Sequence, residues 1–290
     1  MQPGRNFRSL VLAVSMVAAP QPYAQEASVT RQPAPPVRAP SEEFIFDSAG
    51  HKLHGCIIRP RGRGPFPAVI FNHGSEQNPA PCGPPALARM YLAHGFLFFS
   101  FQRHGHSPSP GEYIGDLQRQ IVANTPQAEI GKRIVELHES YNLDVEGAVR
   151  WLMARSDVDP HRVVMTGTSF GGIQTLLTAE QGLGLRAFIT FAPAAMSWGN
   201  VALRQRLLQA VNRSAAPIFL AQAANDFSTG PSELLGPIIN TKEPPNLARL
   251  YPAFGATPRE GHAGFAIFPG GIAIWRDDVL HFIDQAFRTK

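Results

Sequence analysis

The chain has 290 residues, of which 44% are apolar and 17% charged, and a formal net charge of +4. That composition suits a folded domain with a sizeable core and excludes a disordered or fibrous chain. Two of the positive charges, Arg5 and Arg8, lie in the first 24 residues, which hold no acid; without that segment the charge is +2. So slight an excess excludes nucleic acid and anionic membrane surfaces as expected partners.

Arg5 and Arg8 precede the apolar run Leu10-Val11-Leu12-Ala13-Val14-Ser15-Met16-Val17-Ala18-Ala19. A basic n-region followed by a short apolar h-region predicts a secretory signal over residues 1–24, cut after Ala24, with no stable membrane anchor once it is removed. Residues 25–41 contain Pro33, Pro35, Pro36 and Pro40 and few large apolar side chains, so an extended, unpacked tether is expected there. A single domain is then expected over residues 42–290. The two cysteines, Cys56 and Cys82, are free to pair in an oxidising compartment, with two buried thiols as the alternative.

Within the domain, Glu43-Phe44-Ile45-Phe46 and the run from Lys52 to Ile58 flank Ser48-Ala49-Gly50 and read as a hairpin, with His51 and His54 on its solvent side. Phe66-Pro67-Ala68-Val69-Ile70-Phe71-Asn72 is a continuous apolar run, as for a strand buried on both faces. It ends in His73-Gly74-Ser75. A helix over residues 86–93 leads to a second buried strand, Phe96-Leu97-Phe98-Phe99-Ser100-Phe101, which ends in Arg103-His104-Gly105-His106-Ser107-Pro108. Both strands deliver polar, glycine-containing loops at their C-terminal ends, where open α/β sheets place their sites.

Residues 108–142 form a long excursion. Ile130, Ile134, Leu137 and Tyr141 recur at helical spacing, which reads either as a lid-like helix over one side of a site or as a surface helix. A second helix is expected over residues 144–154, broken by Asp159-Pro160. Next comes Val163-Val164-Met165-Thr166-Gly167-Thr168-Ser169-Phe170-Gly171-Gly172. A β-branched run, a Gly-x-Ser-x-Gly turn and a helical pattern (Ile173, Leu176, Leu177) place Ser169 at the apex of a strand–turn–helix. Gly167 and Gly171 remove side chains that would clash in so tight a turn, and Gly172 lets the helix start close to the sheet. Strands at residues 186–192 and 217–223, a helix at 202–211, a weaker strand at 249–252 and a closing helix at 274–287 complete the chain. Strand and helix alternate without an internal repeat, which predicts one doubly wound, mostly parallel α/β sheet with helices on both faces.

A serine at such an apex is a nucleophile only with an adjacent base, and the base needs an acid to fix its tautomer. The histidines after Ser169 are His262 and His281. His281 sits in the closing helix, whereas His262 lies in the glycine-flanked stretch Glu260-Gly261-His262-Ala263-Gly264, expected to be a loop. Among the intervening acids, Asp226 directly follows an apolar strand; Glu260 is the fallback. The N–H groups of Phe170 and Ser75 are the candidate oxyanion donors. His73 is expected to brace its loop, and His73, Arg103 and His104 are candidates for lining a pocket, with a self-bonded loop as the alternative.

The motifs around His73-Gly74-Ser75, Arg103 to Pro108, Asp157 to Pro160, the Ser169 turn, Asn225-Asp226 and Gly261 to Gly264 resemble the α/β-hydrolase superfamily, and more narrowly its dienelactone-hydrolase-like branch. The resemblance spans residues 42 to 290. It implies an eight-stranded sheet, a Ser169–Asp226–His262 triad and neither metal nor organic cofactor. The branch's namesake enzymes use a cysteine nucleophile, where this chain has Ser169. The expectation is therefore an exported serine hydrolase, an esterase acting on a small-molecule ester through an acyl-enzyme. The alternatives are a peptidase or amidase on the same triad and a non-catalytic binding protein that keeps the fold. The sequence sets no oligomeric state.

Overall fold

The structure, a computed structural model, describes residues 40–288. The signal expected over residues 1–24, and the tether up to its last two residues, lie outside the described residues. The first strand begins at Ser41, the final residue assigned to the tether.

β1 (Ser41–Ser48) and β2 (His51–Ile58) form the expected hairpin. Its two turn residues, Ala49 and Gly50, both have positive φ (48° and 83°), the geometry that matches the twist of a two-residue hairpin. β3 (Phe66–Asn72), β4 (Leu97–Phe101), β5 (Val158–Thr168), β6 (Ala187–Phe191), β7 (Ile218–Ala223) and β8 (Leu247–Tyr251) complete an eight-stranded sheet of order β1-β2-β4-β3-β5-β6-β7-β8. β1, β2 and β4 pair antiparallel, and every pairing from β4 through β8 is parallel. The sheet predicted from the alternation of strands and helices is the one observed.

Two apolar layers cover it, and the strands supply both by turns. Ala68, Ile70, Val163, Met165, Phe188, Ile218 and Leu220 pack on one face with α3 (Gln127–Met153), α4 (Phe170–Gln181), α5 (Val201–Arg213) and α6 (Gly230–Thr241). Their immediate neighbours Val69, Phe71, Val164, Ile189, Phe219 and Ala221 pack on the other face with α1 (Pro85–Ala93), α7 (Phe265–Ile267) and α8 (Pro269–Arg288). A period-2 strand covered on both sides must be apolar at every position, which is why these runs are continuous.

Five elements differ from expectation. The helices predicted on either side of residue 143 are one 27-residue helix, α3, because no glycine or proline separates Tyr141 from Asp144. Upstream of it, α2 (Ile114–Asn124) occupies the first half of the excursion. α3 ends at Met153, ahead of Asp159-Pro160, but β5 begins earlier than expected and runs through Pro160, with a register irregularity between its Val158 and Val163 pairings. Such a bulge is where a strand accommodates a proline. α6 was not expected at all; Pro231 sits in its first turn and Pro237 inside it, and prolines speak against a helix. The glycine-flanked loop around His262 is instead a π-helical turn, Glu260–Gly264, continuing into α7. Cys56 and Cys82 form a disulfide with Cα atoms 5.0 Å apart.

Candidate active site

Ser169 follows the last residue of β5 and precedes the first of α4, with φ 58° and ψ −117°. A non-glycine residue in this region is strained, and the strain persists because the surroundings fix it. Its N–H donates to Phe191 O at 2.9 Å, tying the apex to β6. The glycines around it have no room for a side chain. A Cβ on Gly167 would lie 2.3 Å from Gly171 O, and one on Gly171 would lie 2.0 Å from Asn72 O and 2.5 Å from His73 O. A Cβ on Gly172 would meet Thr190 Oγ1 at 2.8 Å. The start of α4 is thus pressed against the C-terminal ends of β3 and β6.

Asp226 and His262 meet just beyond the end of β7, which lies two strands along the sheet from β5. His262 Nδ1 lies 2.8 Å from Asp226 Oδ1, and the two side chains are 5% and 0% exposed. Asp226 Oδ1 also accepts from Phe227 N–H at 2.6 Å, and Oδ2 accepts from Gln222 Nε2 at 2.8 Å. A carboxylate dressed by three donors is held as an acceptor, so His262 presents Nδ1–H to it. That leaves the lone pair on His262 Nε2, which is buried and has no hydrogen-bond partner among the described residues. A Cβ on Gly261 would lie 2.4 Å from Asn225 Oδ1, so the π-helical turn rests directly on the end of β7. Asn225 fastens the segment before it through Phe254: its Nδ2 donates to Phe254 O and its Oδ1 accepts from Phe254 N–H. His281 is exposed on α8 and Glu260 is occupied by Ala256 and Thr257 N–H.

The loop after β3 is clamped from beneath. Arg103, fully buried, donates from Nη2 to His73 O at 2.8 Å and Gly74 O at 2.7 Å. The Arg103 side chain is therefore behind the loop and lines no pocket. His73 is 1% exposed, with Nδ1 2.8 Å from Gly74 O; burial and the charge of Arg103 hold its pKa well below the ordinary histidine range. It also borders a groove of about 440 Å³ between residues 76–89 and 267–269. Tyr113 Oη donates to Ser75 O at 2.5 Å, so the 108–142 stretch touches this loop. His104 lies elsewhere, stacked between His51 and Tyr141 at centroid distances of 4.3 and 3.9 Å. Its Nδ1 is 2.6 Å from the buried Asp144 Oδ2. His51, His104 and Asp144 bring donor atoms within 4.8 Å of one another. The ring stack and the His104–Asp144 hydrogen bond account for that grouping. His51 and His54 are half-buried rather than solvent-facing.

Sequence reasoning missed Gln222, Tyr113 and Phe227. Gln222 is the one amide in the apolar strand β7, a signal that was readable. Phe227 is 47% exposed, and its ring stands edge-on to His262 at 5.5 Å.

The family model described as X-Pro dipeptidyl-peptidase (S15 family) matches residues 49–233. The chain belongs to this family. Among curated proteins, the S15-family chain is similar to the quorum-quenching protein AidA of Acinetobacter baumannii (strain MDR-ZJ06). The two are 26% identical over 150 residues, 51% of this chain and 42% of that protein. The match thus spans less than half the length of that curated relative. A structure described as a dienelactone hydrolase from Klebsiella pneumoniae subsp. pneumoniae superposes with a TM-score of 0.61 at 19% identity, covering 84% of this chain and 98% of that one. An acetyl xylan esterase from Paenibacillus sp. R4 gives 0.60 at 17%, covering 87% and 86%. The acylaminoacyl peptidase of Pyrococcus horikoshii gives 0.63 at 14%, covering 87% and 42%. At these identities the likeness shows the fold, that of the α/β-hydrolase superfamily.

Proposed function

We propose that this S15-family hydrolase is an exported serine esterase that acts through Ser169, His262 and Asp226. Two observations carry the reading: a strained, glycine-walled Ser169 at a strand–helix apex, and a buried His262–Asp226 couple whose Nε2 is unspent. Ser169 Oγ attacks the substrate carbonyl carbon as His262 Nε2 takes its proton. The N–H groups of Phe170 and Ser75 hold the oxyanion. Collapse of the tetrahedral intermediate expels the alcohol, which receives the proton from Nε2. Water, deprotonated by the same Nε2, then releases the acid and restores Ser169.

Asp226 stabilises the imidazolium formed in each half-reaction. The segments that end at this edge of the sheet carry exposed apolar side chains, Met196, Phe227 and Phe268 (66%, 47% and 50% exposed). Their chemistry favours a substrate with an apolar acyl or alkyl group over a charged one. The Cys56–Cys82 disulfide supports export, since such bonds persist in oxidising compartments.

The second reading, a peptidase on the same residues, is favoured by the family model itself, which is named for X-Pro dipeptides. A panel of p-nitrophenyl esters of increasing acyl length, run beside X-Pro anilides, separates the two. Ester turnover without anilide turnover is expected. Faster cleavage of the anilides would replace the esterase reading with the peptidase one.

A further inference from the structure

Arg103 follows β4 and is fully buried, yet no carboxylate among the described residues hydrogen-bonds to it. Its Nε and Nη1 have no partner among the described residues. Glu76 and Asp144 act on it only through space, and burial pulls its pKa down to about 10. It therefore remains a cation at neutral pH. A buried charge with no hydrogen-bonded counter-ion is costly and is rarely kept for packing alone.

What the guanidinium touches is specific. Gly74 O, which accepts from Nη2 at 2.7 Å, is the carbonyl of the same peptide group that presents Ser75 N–H. His73 Nδ1 lies 2.8 Å from the same oxygen and 3.0 Å from Arg103 Nη2, and Arg103 N–H lies 3.4 Å from His73 Nε2. His73 O takes the second Nη2 hydrogen at 2.8 Å. Two successive carbonyls are thus turned toward one cation, which fixes the plane of the Gly74–Ser75 amide. The same guanidinium lies over the ring of Phe170, 4.3 Å from its centroid. Phe170 supplies the other candidate oxyanion donor, so Arg103 touches the peptide group that presents one donor and the side chain of the residue that supplies the other.

Resting on the serine-hydrolase reading, we propose that Arg103 is a positioning residue for the oxyanion hole. It orients the Ser75 N–H through the Gly74 carbonyl, polarises that amide, and keeps a positive charge behind the forming oxyanion. Such preorganised charge acts on the transition state far more than on the neutral ester. Arg103 touches no substrate atom; it acts through two peptide groups and a ring.

The test compares wild type with Arg103→Lys and Arg103→Met on a p-nitrophenyl ester, together with the affinity of a trifluoromethyl ketone, which forms a hemiketal oxyanion on the serine. Loss of one oxyanion donor typically lowers kcat about 100-fold or more. Arg103→Met should approach that loss with KM nearly unchanged, and Arg103→Lys should fall between it and wild type. The ketone's Ki should weaken in parallel with kcat/KM, a correlation that a merely structural brace would not produce. Where Arg103→Met fails to fold, the lysine variant alone decides on the same readouts.

Wild-type kcat in a folded variant would overturn the proposal, as would a loss seen only in KM or in thermal stability. If wild type itself neither turns over esters nor is labelled at Ser169 by a fluorophosphonate, the underlying hydrolase reading fails instead. An active, labelled wild type with an indifferent Arg103 variant sinks only the inference.

Discussion

His138 offers a clean measurement of what burying an unpartnered imidazole does to stability. It sits on α3 at 3% exposure, with its ring 5.1 Å from Phe170 and neither ring nitrogen hydrogen-bonded among the described residues. Burial first, and the charge of Arg103 second, lower its pKa from 6.5 to about 3. His106, with Nδ1 2.8 Å from Glu76 O, is lowered to about 3 by the same two causes. A group whose folded pKa is depressed binds protons preferentially in the unfolded chain. The stability is therefore fully present above about pH 6.5 and is lost as pH falls toward 3. At pH 5, each such histidine removes about 2 kcal/mol relative to pH 8. Asp157 and Glu180, whose pKa values are also lowered, lose their contributions only below the ordinary carboxylate range. The slope between pH 5 and 6.5 thus belongs largely to the buried histidines. His138→Leu should be near neutral or stabilising at pH 8, since the histidine ring makes no hydrogen bond to lose. At pH 5 it should be about 2 kcal/mol more stable than wild type. Urea unfolding across this pH range reads both quantities. Identical slopes for the variant and wild type would refute the reasoning.

Asp226→Asn preserves the shape of the His262 site but favours the wrong imidazole tautomer, and kcat should fall about 10⁴-fold with little change in KM. Steady-state kinetics with intact near-ultraviolet circular dichroism checks it. The Cys56–Cys82 bridge spans a sequence separation of 26, for which chain entropy gives about 3.5 kcal/mol of stabilisation. The Cys56→Ala/Cys82→Ala double variant should show that loss in denaturant, and dithiothreitol should reproduce it in wild type. Gly171→Ala would place a methyl 2.0 Å from Asn72 O, so about 3 kcal/mol of destabilisation is expected from the forced backbone shift, read as a drop in Tm.

The sheet was legible because strands buried on both faces must be apolar at every position, as at Val69 and Ile70, which enter opposite layers of the core. The Ser169 turn was legible because backbone crowding leaves glycine alone at 167 and 171. Asp226 and His262 were found by chain order and strand ends, and the 2.8 Å contact between them is a tertiary fact that no local pattern encodes. α6 was hidden by Pro231 and Pro237: local propensity speaks against a helix there, while Leu235 and Ile239 reach the core and hold it. Arg103 read either as pocket lining or as part of a self-bonded loop because its sequence neighbours are polar. Only the fold reveals that its side chain turns inward, beneath Gly74 and onto Phe170.

Ser169 as nucleophile is tested most directly by intact-mass measurement after treatment with a fluorophosphonate, followed by peptide mapping. One adduct per chain, located on Ser169 and absent from Ser169→Ala, is the expected result, with ester hydrolysis lost in that variant and its fold retained. An unmodified Ser169, or a Ser169→Ala protein that hydrolyses esters at the wild-type rate, would contradict it.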